Sequence, residues 1–476
     1  MFPLFPLPEN LRTKAFFASI SISLFLVAVF LIAGASLSLS VAIFFLVWLI
    51  FAFLVSPFLL LSILILLRSS IDALSDISFS LANDTISITT PQFFGIGVFA
   101  LAILFVVFYK KPSLRNPLFL PFVLFILWGF LTLFYSVNPS FTNGTGYELV
   151  RLSTILFLFL LAKTAVRTPT DWRRLLLVIV ASAILPLLFA VFQISLEIGY
   201  RDDAFNIPRA FGTFAHPNVF AMFFVSLVAV AFLLVEKASS MGQKITGVLL
   251  GALSSIAVLL SFTRIAWLAL AILVAMLFIR KSLRWLPILF LMGFLLYVAV
   301  EPVQERVNEA FTFSSGNSLV WRFGTWSDAT TATIQSGRAL FGSGLNTFST
   351  VLENIRGIRF TVNDPHSEFI RAFVEGGIVG LLVLIAFYAT ILVTLFRTWK
   401  QAHLSPEGRS VFFALFTLWV ALTIASLTDH ILRSTPLQWV VWSLMGGAFA
   451  VFLPKEKKEN ENIYRALQTP HKKSDS

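Results

Sequence analysis

From residue 91 onward the chain is a series of apolar runs, each closed by a short polar or charged segment. Runs of about twenty residues are what an α-helix needs to cross a bilayer. Those near 91–109, 117–135, 147–166, 174–196, 217–235, 245–261, 265–279, 285–300, 366–396, 410–428 and 435–453 predict eleven spans. Residues 15–67 are almost unbroken hydrophobics, interrupted only by Gly34, several serines and Pro57. Their length suits two crossings, whereas an inside N-terminus marked by Arg12 and Lys14 needs one or three, so the pattern leaves the N-terminal parity open. Ala33-Gly-Ala35 resembles a signal-peptidase site, but a polytopic chain rarely uses one, and no cleavage is expected.

Composition agrees with the pattern. With 476 residues, 58% hydrophobic and 12% charged, there is too little polar surface to coat a soluble globule. The net charge of +11 sits in short clusters between apolar runs and forms no aromatic-interleaved patch, so no nucleic-acid partner is expected. The clusters alternate. Lys110, Lys111 and Arg115, then Lys163, Arg167, Arg173 and Arg174, then Lys237 and Lys244, then Arg280, Lys281 and Arg284, then Arg397, Lys400 and Arg409, then Lys455, Lys457 and Lys458 fall on every second loop. Those loops are expected to be cytoplasmic, the C-terminus with them, and the intervening loops to face outward. The expected fold is therefore all-α, a polytopic membrane helix bundle of about 12–14 transmembrane helices, with a large, partly helical outer loop between the spans near 285–300 and 366–396.

That loop, 301–365, is too long for a connector and too aromatic for a linker. Leu319, Phe323, Trp326, Thr330 and Ile334 recur at helical spacing before a break at Gly342-Ser-Gly344, which predicts an amphipathic helix against the outer leaflet or the bundle.

Three polar islands lie on the outward side: Arg209 to Asn218, Ser261-Phe-Thr-Arg264, and Asn363-Asp-Pro-His366-Ser-Glu368. In the third, Asp364 suits an N-cap and Pro365 the first helical position, which places His366 in the first turn of a helix to residue 396. Unbroken, that helix would run roughly 50 Å and protrude from the bilayer. A neutral imidazole there can take a proton from a hydroxyl, although a lone histidine more commonly satisfies a loop carbonyl. Arg209 and Arg264 read either as snorkelling arginines or as forked ligands for phosphate oxygens, aided by helix N-termini at the same face. Two arginines, three helix N-termini and one base suit an anionic leaving group beside a nucleophile that must be deprotonated, as when diphosphate leaves a sugar carbon. His216 is expected to cap the helix at Pro217 rather than to react. Asp429, His430 and Arg433 are candidates to line an acceptor entrance. The chain has no cysteine, its histidines form no His-x3-His pair, and Asp202-Asp203 is a weak ligand set, so neither metal nor other cofactor is expected.

Arg209-Ala-Phe-Gly-Thr-Phe-Ala-His-Pro-Asn218, Ser261-Phe-Thr-Arg264-Ile-Ala-Trp267, Leu340-Phe-Gly-Ser-Gly-Leu-Asn346 and His366-Ser-Glu-Phe with Glu375-Gly-Gly-Ile-Val-Gly380 resemble the bacterial O-antigen ligase and polymerase superfamily. The resemblance covers roughly 200–400 in motif detail. It implies a metal-independent inverting glycosyltransferase on the periplasmic side of the inner membrane, with an undecaprenyl diphosphate-linked glycan as donor. In the ligase branch the acceptor is lipid A-core and the product lipopolysaccharide. His366 matches the family's catalytic histidine, and Arg209 and Arg264 match its diphosphate-binding arginines. Glu368, Arg322, His430, Arg433, His216 and Asn218 are the candidate acceptor-side or supporting residues.

The chain then divides into N-terminal apolar spans and an outer loop at 1–90, transmembrane helices at 91–200, a ligase-like region at 201–453 and a basic cytoplasmic tail at 454–476. No cytoplasmic loop is long enough for a nucleotide-sugar domain, which favours a donor reached from the membrane lipids themselves. A polymerase of the same superfamily and a protein O-oligosaccharyltransferase remain alternatives. From another class, a small-solute transporter would carry charge near mid-bilayer, where these spans have almost none.

Overall fold

The computed structural model describes residues 20–26, 28–29, 37–76, 78–81, 86–108, 117–141, 143–202, 205–311, 318–356, 364–401 and 404–453. Ala33-Gly-Ala35 and the tail 454–476 lie outside the described residues, as do Asp203 and Asn363.

Each of the eleven predicted spans falls on helix. α1 (Leu37–Val55) and α2 (Pro57–Arg68) meet at Ser56, whose side chain caps α2. A short hairpin of β1 (Ser78–Leu81) and β2 (Ile86–Thr89) leads into α3 (Thr90–Phe108), α4 (Phe119–Thr132) and α5 (Thr145–Ala165). The run predicted at 174–196 is two helices, α6 (Pro169–Ser182) and α7 (Ile184–Ser195), and it starts earlier because Thr168 as N-cap and Asp171 form a reciprocal capping box across Pro169. A second hairpin, β3 (Tyr200–Asp202) and β4 (Phe205–Arg209), precedes α8 (Pro217–Glu236), α9 (Met241–Leu260), α10 (Arg264–Ile279) and α11 (Trp285–Ala299). The outer loop contains α12 (Glu301–Phe311), α13 (Ser318–Gln335) and α14 (Phe348–Arg356), and α13 is the helix that the Leu319 to Ile334 spacing predicted. α15 (Glu368–Lys400), α16 (Pro406–Ala425) and α17 (Thr435–Phe452) complete the bundle.

Among the described residues, eight helical segments are long and apolar enough to cross a membrane, nine if α11 and α12, bent by 101°, form one broken span. Four shorter apolar helices, Ile43–Val55, Pro57–Arg68, Phe119–Thr132 and Arg264–Ile279, complete the polytopic all-α bundle.

α5, α8, α16 and α17 are the most enclosed spans. Their core is aromatic: Trp442 contacts Phe122, Phe159, Phe387 and Trp419 with ring centroids 4.7–6.0 Å apart. Its indole N–H donates to Gln438 Oε1 at 2.9 Å, and that of Trp439 to Thr154 Oγ1 at 3.2 Å, so these polar edges are satisfied inside the bundle.

The long helix after His366 differs from expectation in two respects. Its N-cap is Ser367, which accepts from Ile370 N, and not Asp364, so Pro365 and His366 precede the helix. Nor is it a straight rod, because Gly377, the second of two adjacent glycines, breaks it with φ 64° and ψ −161°.

The backbone groups freed by the break are taken up by the Leu340 to Asn346 motif and its neighbour Ala339. Ile378 N and Val379 N donate to Ala339 O and Leu340 O at 2.9 and 3.2 Å, while Ser343 N and Gly344 N donate to Val374 O and Glu375 O at 3.1 and 2.8 Å. The approach is close enough to require glycine on both sides. A Cβ on Gly377 would lie 2.3 Å from Leu340 O, and one on Gly342, at φ 72°, 2.4 Å from Gly376 N.

Gly377→Ala is therefore expected to destabilise the detergent-purified protein, by about 1–2 kcal/mol from the left-handed backbone alone and more from the clash. Gly324→Ala, where an added Cβ meets nothing within 4 Å, is the control and should leave the thermal midpoint unchanged or raised. Equal midpoints for wild type and Gly377→Ala would contradict the interlock.

Candidate functional site

The N-termini of α8, α10 and α15 and the α16–α17 turn meet at one end of the bundle, and the three polar islands meet there with them. At the other end Lys237 pairs with Glu407, Lys281 with Glu236 at 2.8 Å, and Arg280 donates to Ser410 Oγ at 3.0 Å.

Arg209 ends β4 and is 5% exposed. The turn that follows is pinned by buried Gln193, whose Oε1 accepts from Phe211 N and Gly212 N at 3.1 and 2.8 Å. Arg209 Nε donates to Ser261 O at 2.9 Å, and its Nη2 lies 3.2 Å from both Thr263 Oγ1 and Asn218 Oδ1. The first two islands are thus in direct contact. His216 caps α8, its Nδ1 accepting from Asn218 N at 3.1 Å.

Asn218 joins these islands to the third. Its Nδ2 donates to Asp429 Oδ2 at 3.0 Å, and Asp429 Oδ1 faces His366 Nδ1 at 3.9 Å and His430 Nδ1 at 3.4 Å. The two imidazoles lie 5.3 Å apart, tilted by 35°. His366 stands at φ 47°, in the left-handed region, where Asp364 Oδ1 accepts its N–H at 3.1 Å and Trp326 of α13 donates to Pro365 O at 2.5 Å. Arg322, one turn earlier on α13, donates to Thr428 O at 3.0 Å, so one helix grips both turns that carry the histidines.

A layer of buried charge supports them. Asp364 Oδ1 accepts from Arg371 at 3.2 Å and lies 3.1 Å from His430 Nδ1, while its Oδ2 faces Arg433 at 3.5 Å. Glu368 accepts from Leu432 N at 2.8 Å and pairs with Arg371, which gives it an anchoring place. Arg433 also faces Glu148, which pairs with Arg151. Arg371, Glu148 and Arg151 were not singled out from the sequence. The spacing of Glu368 and Arg371, three apart on one helix face, was the available signal for one of them.

Burial alone would raise Asp429, but the facing His366 and His430 imidazoles and the His430 N–H hold it below the usual carboxylate range. Asp364 is held down against burial by His430 and then by Arg371 and Arg433. Burial, with repulsion from Arg306 working against Asp429 and Asp364, lowers Arg322 from the ordinary arginine range. Asp364, His366 and His430 offer ligand atoms within 4.8 Å of one another, a grouping hidden by their sequence separation. The Asp364 oxygens are already engaged by two guanidinium groups, which is an unfavourable seat for a cation.

Arg264 is the first residue of α10 and is not without a partner, since its Nη1 lies 3.6 Å from Glu309 Oε1 of α12.

Residues 249–385 match the family model described as O-antigen ligase. No curated protein matches the chain. The match supports the O-antigen ligase superfamily and a membrane function of the O-antigen ligase or polymerase type. It contains Arg264, Arg322, His366 and Glu368, whereas Arg209 and His430 lie outside it.

Burial, then the charge of Arg209, pushes the His216 imidazole down to about 4. The unfolded chain, with an ordinary imidazole near pH 6.5, therefore binds this proton first, so stability falls as pH drops from about 6.5 through about 4. The thermal midpoint is expected to fall across that window, and to fall less in His216→Asn, which keeps a capping acceptor that does not titrate. Equal falls in the two proteins would contradict the assignment.

Proposed function

We propose that the chain transfers a glycan from undecaprenyl diphosphate to an acceptor hydroxyl on the periplasmic side of the inner membrane, and that the acceptor is lipid A-core. The observation that carries this reading is the continuous contact from Arg209 through Asn218 to Asp429 and His366, which supports pairing Arg209 as an anion-binding group with His366 as a base. The alternation of charged loops supports the periplasmic placement and a cytoplasmic C-terminus.

In this scheme Asp429 favours the His366 tautomer protonated on Nδ1, which leaves Nε2 to accept the acceptor's hydroxyl proton. The acceptor oxygen forms its bond to the anomeric carbon as the bond from that carbon to the diphosphate oxygen breaks. The bonding pair leaves with the diphosphate, and Arg209 and Arg264 stabilise the charge. A single displacement inverts the anomeric centre. Every step uses side chains alone, with no metal. In the same scheme His430 and Arg433 flank His366 through Asp364, Arg322 holds the turn that carries Asp429 and His430, and all three are assigned to the acceptor side, while His216 and Asn218 orient Arg209.

His366→Ala is expected to insert normally yet leave lipid A-core uncapped, with fully polymerised glycan accumulating on its lipid carrier, read by gel analysis of lipopolysaccharide. Core capped by single repeat units would instead identify a polymerase. Arg264→Lys should lose roughly tenfold or more in transfer although it keeps the charge, because forked contact is lost; wild-type activity would remove Arg264 from the diphosphate site.

A further inference from the structure

Two arginines from other elements converge on the segment Ser261-Phe-Thr-Arg264, which ends in a third. Arg209 donates to Ser261 O at 2.9 Å, and Arg306 of α12 donates its Nε to Phe262 O at 3.2 Å. Arg264 closes the segment. Phe262 stands at φ 48°, so the turn is left-handed, and its two successive carbonyls are each met by an arginine from a different element. The 101° bend between α11 and α12 folds α12 towards the start of α10 and brings Arg306 and Glu309 to this turn.

One carboxylate serves two of these cations. Glu309 Oε1 lies 3.6 Å from Arg264 Nη1, and its Oε2 pairs with Arg306 Nη1. Arg306 is 6% exposed, and its charge is felt by Arg322 on the His366 side. A carboxylate bridging two guanidinium groups presents its oxygens as two oxygens of a phosphate would.

Resting on the diphosphate reading of Arg209 and Arg264, we infer that Arg306 is a third arginine of the phosphate site and that Glu309 is its resident counter-anion, displaced when the donor's diphosphate binds. This arrangement discriminates by charge. A diphosphate carries more negative charge than the tethered carboxylate and can displace it. A phosphodiester, the group on the surrounding phospholipids, carries a single charge and cannot outcompete an anion held at high effective concentration. Glu309 thus keeps abundant lipid headgroups out of a site that must accept a scarce diphosphate.

Calorimetric binding of inorganic pyrophosphate and of dimethyl phosphate, a soluble phosphodiester, tests this without relying on transfer. Glu309→Gln should bind pyrophosphate roughly tenfold tighter than wild type and gain measurable dimethyl phosphate binding. Glu309→Ala should change both in the same direction. Arg306→Lys should bind pyrophosphate roughly tenfold more weakly. Unchanged or weaker pyrophosphate binding in both Glu309 variants overturns the counter-anion, and wild-type affinity in Arg306→Lys overturns the third arginine. No gain of dimethyl phosphate binding overturns the discrimination. If wild type binds no pyrophosphate at all, the diphosphate reading of Arg209 and Arg264 falls first.

Discussion

Ionised groups packed at the mouth of an apolar bundle must all find partners, and this constraint organises the molecule. Taking a carboxylate out of water costs several kcal/mol unless nearby cations and N–H groups replace its hydration. Asp429 and Asp364 meet that requirement only where the ends of α8, α15 and α16 come together, with Asn218, His366, His430, Arg371 and Arg433 as their partners. The same contacts that make burial tolerable also fix the spacing of the groups proposed to react.

The outer loop serves this end. α13 holds the Pro365 and Thr428 carbonyls, and the Leu340 to Asn346 segment takes up backbone groups freed at the Gly377 break. Two motifs that looked independent in the sequence are therefore two sides of one interlock. α12 adds a further layer by bringing Arg306 and Glu309 to the start of α10.

Span positions were legible because length and hydropathy report directly on a bilayer. The convergence of the islands was legible only as a shared compartment, because charge alternation gives the side of the membrane and not the neighbours around the bundle. Nothing local joins Asn218 to Asp429, 211 residues away. Asp364 was misread because Asp-Pro is a good helix start, yet Ser367 has the extended backbone and the acceptor that cap α15, which leaves the Asp364 carboxylate for Arg371 and His430. The contact of Arg264 with Glu309 was not legible in the sequence, because Glu309 reaches it through the bend between α11 and α12.

The central claim is that these side chains alone move a glycan from a lipid diphosphate to a hydroxyl. The most direct measurement is transfer from a purified undecaprenyl diphosphate-linked glycan to lipid A-core by the reconstituted protein, with and without excess chelator. The account predicts capped core at the same rate in both. Absence of product, or product abolished by the chelator and restored by a divalent cation, would contradict it.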